Sequence, residues 1–224
     1  MGIWTLTPSS RLHHKAKEKP VWRPPGRSRK SPLVSQPTPP ADTSPEDVLD
    51  LYAACLDYVE RALGTTLDGS AESLAVVDHW LVEAGREKER PAAQELVLRA
   101  AAAYFGEVLL RRFDCFWHRE GDDITTYTVR FRPVFLSVSP YALAAAALGG
   151  PGDPERDAVG LAIDEAELDE IADHLRGAEV PEDEFYRLST RLEVIEIVVD
   201  QLKARAERRG TGDVTFEDPD YEDL

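Results

Sequence analysis

The chain is 224 residues long, 42% hydrophobic and 30% charged, with a formal net charge of −16. That length and apolar content predict one domain able to bury its own core without disulfides or structural metal. No stretch reaches the roughly 18 apolar residues of a membrane-spanning helix, and Cys55 and Cys115 lack metal-ligand or redox spacing, so they read as reduced thiols.

Residues 1–43 hold half of the sixteen prolines, and up to Ser44 there are eight Lys/Arg against two Asp/Glu, a net of +6. Such a basic, aliphatic-poor stretch cannot bury enough apolar surface to offset chain entropy and is expected to be a disordered tail. Residues 45–224 hold the other 18 Lys/Arg against 40 Asp/Glu, a net of −22. An acidic body repels phosphates, which argues against a nucleic-acid partner, and it suits a basic protein partner. The opening Met1-Gly-Ile-Trp-Thr-Leu6 lacks the apolar stretch of a signal peptide, and Leu6 stands where a myristoylation signal needs Ser or Thr. A cytoplasmic location is expected.

Helical signals begin at Ser44, read as the N-cap of a first helix with Pro45 at its first position and Asp47 completing a capping box. Val48, Leu51, Tyr52, Cys55, Val59, Ala62 and Leu63 trace its apolar face, and Gly64 ends it. A second helix spans 71–84, capped by Ser70, with Leu74, Val77, Trp80 and Leu81 inward and Gly85 as its stop. Pro91 opens a third that reaches Arg112. Strands at 115–118 and 124–132 then flank the connection 119–123. In the second of these, Tyr127, Val129 and Phe131 face opposite to Thr126, Thr128, Arg130 and Arg132. Pro133 cannot donate to a ladder and should interrupt it before 134–138 continues as an edge strand.

A short helix at 141–148, an exposed loop at 149–163 and a helix at 165–176 follow. The last helix is predicted over 181–209, where Phe185, Leu188, Leu192, Ile195, Val199, Leu202 and Ala206 alternate spacings of three and four. That seam packs either into the domain or against a second copy. Val194, Ile197 and Val198 widen the apolar face, which favours the domain core and a monomer, with a homodimer through 181–209 as the alternative. Asp213–Leu224 is an acidic tail with six carboxylates around Phe216 and Tyr221. The fold class expected is α+β, mostly helical, with a small three-stranded antiparallel sheet. One domain over 44–210 lies between the basic tail and an acidic tail, 211–224.

Nucleotide-binding, hydrolase and zinc signatures are absent from the sequence. His118-Arg-Glu120-Gly-Asp122-Asp123 resembles a ligand cluster, but a hairpin tip is polar in any case, and no metal or cofactor is predicted. Gly106 is more informative, because a glycine inside a helix costs about 1 kcal/mol relative to alanine. It marks a close approach, expected from the backbone of the hairpin that follows. Glu107 is expected to pair with Arg111 one turn on, beside Arg112. If the Arg130/Arg132 strand face meets this helix end, four arginines surround one or two carboxylates. That cluster is either a structural ion-pair network or a pocket for an anionic ligand or a partner's carboxylate.

The run Ala103-Tyr-Phe-Gly-Glu107-Val-Leu-Leu-Arg-Arg-Phe113, followed by Trp117 and Phe131-Arg-Pro-Val-Phe-Leu-Ser-Val-Ser-Pro-Tyr141, resembles small bacterial domains of unknown function. In these an Ala-Tyr-Phe-Gly-Glu helix precedes a tryptophan-bearing hairpin. The likeness covers about 65–150, implies an α+β fold and bacterial origin, and transfers no catalytic residue. The functional expectation is a non-enzymatic acidic protein-binding module, an adaptor or immunity-type inhibitor of a basic partner. The alternatives are a ligand-binding or enzymatic domain built on Glu107 and the arginines, or a subunit of a larger assembly docking through the last helix. Candidate binding residues are Glu107, Arg111, Arg130, Arg132, Phe216 and Tyr221.

Overall fold

The computed structural model describes residues 44–86, 91–149, 160–164, 167 and 181–222. Six helices, α1 (Glu46–Leu63), α2 (Leu74–Arg86), α3 (Pro91–Arg112), α4 (Pro140–Gly149), α5 (Glu182–Phe185) and α6 (Leu188–Arg209), accompany four strands among these residues. The strands β1 (Cys115–His118), β2 (Thr128–Phe131), β3 (Leu136–Val138) and β4 (Leu161–Ile163) form one antiparallel sheet in sequence order. The class is α+β and mostly helical, as the sequence predicts. The fourth strand is a correction: Leu161, Ala162 and Ile163 pair with Val138, Ser137 and Leu136 inside what reads as a loop. The proline- and glycine-rich stretch before them hides a three-residue strand too short to show periodicity. The helix expected at 165–176 lies outside the described residues, apart from Glu167.

α3 is the centre of the molecule. Ala100 to Leu109 are all buried, four successive alanines among them, so its middle is apolar on every side and other elements pack round it. The small side chains let α1 and α4 approach it closely, while β1 crosses its far end. β2 presents Tyr127, Val129 and Phe131 to this core, all fully buried, while Thr128, Arg130 and Arg132 are half-buried on the other face. The alternation is the predicted one. Residues 124–126 are not strand, however, but a 3-10 turn, because the Asp123 carboxylate accepts from the Thr125 N–H at 3.0 Å and diverts the backbone. Pro133 does interrupt the ladder, and β3 resumes at Leu136.

Caps account for the other differences. Ser44 does not cap α1; Pro45 takes the cap position with no side-chain hydrogen bond. Asp47 is engaged elsewhere, accepting from the Tyr127 hydroxyl at 2.7 Å. α2 starts at Leu74 rather than 71, because Asp68, Ser70 and Ser73 bond one another in a tight turn first. The long last helix is broken at Tyr186-Arg187, with Arg187 extended (φ −63°, ψ 140°).

The break has a specific cause. Asp78, buried on α2, accepts from the Leu188 N–H at 2.6 Å, the Ser189 N–H at 3.1 Å and the Ser189 hydroxyl at 2.6 Å. A carboxylate from a distant helix thus satisfies the free N–H groups that start α6.

Beyond the break Leu188, Leu192, Ile195, Val199 and Leu202 are all buried within the chain, joined by Val194 and Val198. The seam is filled by the domain's own core. Leu192→Glu is therefore expected to unfold the protein, at a cost of at least the roughly 2–5 kcal/mol of a Leu→Ala cavity. Light scattering of the native chain should report about 25 kDa, the mass of one copy. A folded Leu192→Glu variant whose native form weighs twice that would place the seam between copies instead.

Candidate functional site

Glu107 and Gly106 meet the hairpin through one residue, Trp117. A Cβ on Gly106 would lie 2.0 Å from Trp117 Cζ2 and 2.3 Å from Cη2, so the indole lies against the bare glycine backbone. The close approach was expected from a backbone; it comes from an aromatic side chain. Trp117 Nε1–H donates to Glu107 Oε1 at 3.0 Å. Glu107, buried, is thereby committed to the indole, and its predicted pairing with Arg111 does not form.

The four arginines do not converge. Arg111 donates to the Tyr52 hydroxyl (2.9 Å) and the Asp68 carbonyl (3.3 Å), with its guanidinium carbon 5.2 Å from the Tyr52 ring centre. Arg112 turns to α6 and pairs with Glu196 at 2.7 Å. Arg130 and Arg132 remain neighbours on the outer face of β2 and its extension, where both meet the C-terminal segment. Arg130 reaches Asp218 Oδ1 at 2.6 Å and its carbonyl at 3.1 Å, over the Tyr221 ring. Arg132 pairs with Asp114 at 3.2 Å, lies 3.9 Å from Glu217 and covers the Phe116 ring. The reason the cluster disperses is geometric. β1 separates the arginines of the sheet from the end of α3, and each guanidinium finds a nearer acceptor.

Phe216 and Tyr221 belong to this same face. The acidic tail expected at 211–224 packs on the domain, because residues 213–222 fold back onto the bend after β2. The Phe216 N–H donates to the Arg132 carbonyl at 2.8 Å. Asp218–Tyr221 forms a 3-10 turn closed by reciprocal bonds between Glu217 and Asp220. Tyr221 is only 2% exposed. Its hydroxyl donates to the Phe131 carbonyl at 2.6 Å and accepts from the Leu136 N–H at 3.2 Å, which ties together the two ends of the Pro133 bend. Its ring stacks on Phe135 at 4.7 Å. Burial pushes the Tyr221 phenol up to about 12. Tyr221 is thus a plug under the sheet and presents no ring to a partner.

Beside the plug runs a groove of about 440 Å³ whose apolar wall includes Val134, Phe135, Leu202, Ala206, Val214 and Phe216. At its rim Glu167 is bracketed by Arg205 and Arg209, each at 2.6 Å. Val214 stands 47% exposed on the wall. The carboxylates of Asp213, Glu217, Asp218, Asp220 and Glu222 follow the same segment and are exposed.

Other reactive groups are spent on structure. Burial raises both cysteine thiols, Cys55 to about 12 and Cys115 further, so neither is a thiolate at neutral pH. His118 Nδ1 lies 2.7 Å from Asp218 Oδ1, and Asp123 pairs with Arg99 at 3.1 Å, which draws the hairpin-tip residues apart. Among the described residues no group of three or more His, Cys, Asp or Glu is placed to hold a metal ion, and no helix is long and apolar enough to cross a membrane. Sequence reasoning misses Asp78, Asp218 and Glu167, since each works across more than 30 residues of chain and shows no local spacing. Comparison with known family models, with curated proteins and with solved structures finds no match.

Proposed function

We propose that the chain is a non-enzymatic protein-binding module of a bacterial cytoplasm, and that its partner is a basic, amphipathic segment lying in the groove beside the C-terminal plug. The carrying observation is the pairing of an apolar wall with a strongly acidic stretch of a body of net charge −22. A cationic helix or strand can bury its apolar side against Phe135, Val214 and Phe216 while its charges meet Asp213, Glu217 and Glu222. The commitments of Glu107, Arg112, Arg130 and Arg132 to internal partners support this reading over an anion pocket at the predicted cluster.

The test is fluorescence anisotropy of the full chain with a labelled Leu/Lys amphipathic peptide, its Leu/Glu counterpart and a scrambled Leu/Lys sequence. The Leu/Lys peptide should bind, and weaken as salt rises past about 0.15 M, where the screening length is about 8 Å. Val214→Lys, a change at an exposed position, should weaken binding about tenfold or more. Equal binding of the scrambled peptide, or no effect of Val214→Lys, would overturn the assignment of this groove.

A further inference from the structure

A second groove, of about 730 Å³, lies between the 68–72 turn, the C-terminal end of α3 and Glu196 on α6. Asp68, Gly69, Ser70, Glu72, Arg111 and Arg112 line it. It is polar, and Arg111 is its unusual member. Unlike Arg112, Arg130 and Arg132, Arg111 has no carboxylate within ion-pair reach among the described residues, in a chain with 42 Asp and Glu. Its guanidinium is nonetheless held on several sides. Tyr52 takes one N–H and offers its ring face, and the Asp68 carbonyl takes another.

Tyr52 is itself fixed. It stacks parallel on Tyr104 at 5.3 Å and 4°. Tyr104 is fully buried and accepts the Gly69 N–H at 2.9 Å, with the Ser73 hydroxyl also on its oxygen at 2.5 Å. Gly69 is left-handed (φ +74°), and a Cβ there would fall 1.2 Å from Arg111 Nη1. The turn must therefore be glycine for the guanidinium to sit where it does.

We propose that this groove binds a small zwitterion of the α-amino-acid type, its carboxylate on Arg111 and its ammonium on Glu72. A guanidinium has five N–H donors in a planar fork that matches a carboxylate, and Arg111 spends two of them within the protein. Orienting a long side chain in advance removes the entropic cost that otherwise weakens such contacts. Glu72 is exposed in the same groove and has no ion-pair partner among the described residues, so it supplies the complementary charge. Hydrogen bonds from the Ser70 hydroxyl and N–H hold the Asp68 carboxyl below its ordinary range, and it stays negative. Glu196 on the wall is offset by its pairing with Arg112, so a phosphate dianion on Arg111 meets the carboxylates of Asp68 and Glu72 and is disfavoured, whereas a zwitterion is not. This site lies apart from the C-terminal groove and does not depend on peptide binding there.

The experiment is an NMR titration of the isotope-labelled full chain with glycine and L-lysine, against acetate, methylamine and inorganic phosphate at equal concentration. The amino acids should shift the Gly69, Ser70 and Glu72 amide signals and the Arg111 Nε–H signal, and acetate or methylamine alone should bind about tenfold more weakly or less well still. Glu72→Gln, an exposed change, and Arg111→Lys should each lower amino-acid affinity about tenfold, with the rest of the spectrum unmoved. The proposal is overturned by silence of these signals with every amino acid, by acetate binding as well as glycine, or by phosphate binding more tightly than either amino acid.

Discussion

Gly106→Ala should destabilise the native protein yet stabilise it once Trp117 is removed. In a helix, alanine is favoured over glycine by about 1 kcal/mol. Here the new methyl would stand 2.0 Å from Trp117 Cζ2, far inside contact distance. The indole cannot simply swing away, because its N–H is bonded to Glu107 and its strand is registered with Val129. Overpacking costs roughly 1–3 kcal/mol even after relaxation, and a clash this deep belongs at the upper end, about 2–3 kcal/mol, so subtracting the helical preference leaves a loss of about 1–2 kcal/mol. Gly106→Leu should lose more. In a Trp117→Ala background the steric term vanishes and only the helical preference remains, giving a gain of up to about 1 kcal/mol. Urea denaturation of the four proteins in this cycle checks the sign change. Gly106→Ala behaving alike in both backgrounds would mean that the ring does not rest on the glycine.

The same contact shows what was legible in the chain. Gly106 inside an otherwise strong helix, and Glu107 beside it, announce a site of close packing, and the hairpin that follows is where the partner comes from. The identity of that partner is not legible, since Trp117 and Phe116 are equally aromatic neighbours and only the strand's facing decides between them. The arginine cluster fails for a related reason. Helical spacing alone pairs Glu107 with Arg111, but a buried indole N–H competes for the same carboxylate, and Tyr52, 59 residues earlier, captures the guanidinium.

The helix α1 and the alternation of β2 follow from local periodicity, and α3 from its opening proline and its run of strong helix formers, since its middle is apolar on every side. The fourth strand and the break in the last helix do not, because both are imposed by distant groups: β3 templates Leu161–Ile163, and Asp78 ends one helix and starts another. The C-terminal segment lies between these cases. Six carboxylates read as an acidic tail outside the domain, and the two aromatic residues among them are the signal that it docks.

Asp78 carries the other large expectation. Asp78→Ala removes the acceptor of three hydrogen bonds and leaves the first N–H groups of α6 buried beside a void. An N-cap is worth about 0.5–2 kcal/mol, and a buried unsatisfied donor costs roughly 1–3 kcal/mol more, so a loss of about 3 kcal/mol is expected. The pH dependence has a definite sign. Burial pushes the Asp78 carboxyl above its ordinary value of 3.8, outweighing the opposite pull of Ser189, Leu188 and Arg187. A folded state that holds its proton more tightly than the unfolded chain is favoured at low pH, and that advantage is lost as pH rises through the folded value. Asp78→Asn cannot titrate. The stability of the native protein relative to Asp78→Asn should therefore fall as pH is raised from about 4 towards neutrality, because desolvating the charged carboxylate is then felt in full. Chemical denaturation of the pair at several pH values in that range isolates this one group, since all other carboxylates are shared. A difference that grows with pH would mean that the N–H groups of α6 stabilise the ionised form by more than burial opposes it.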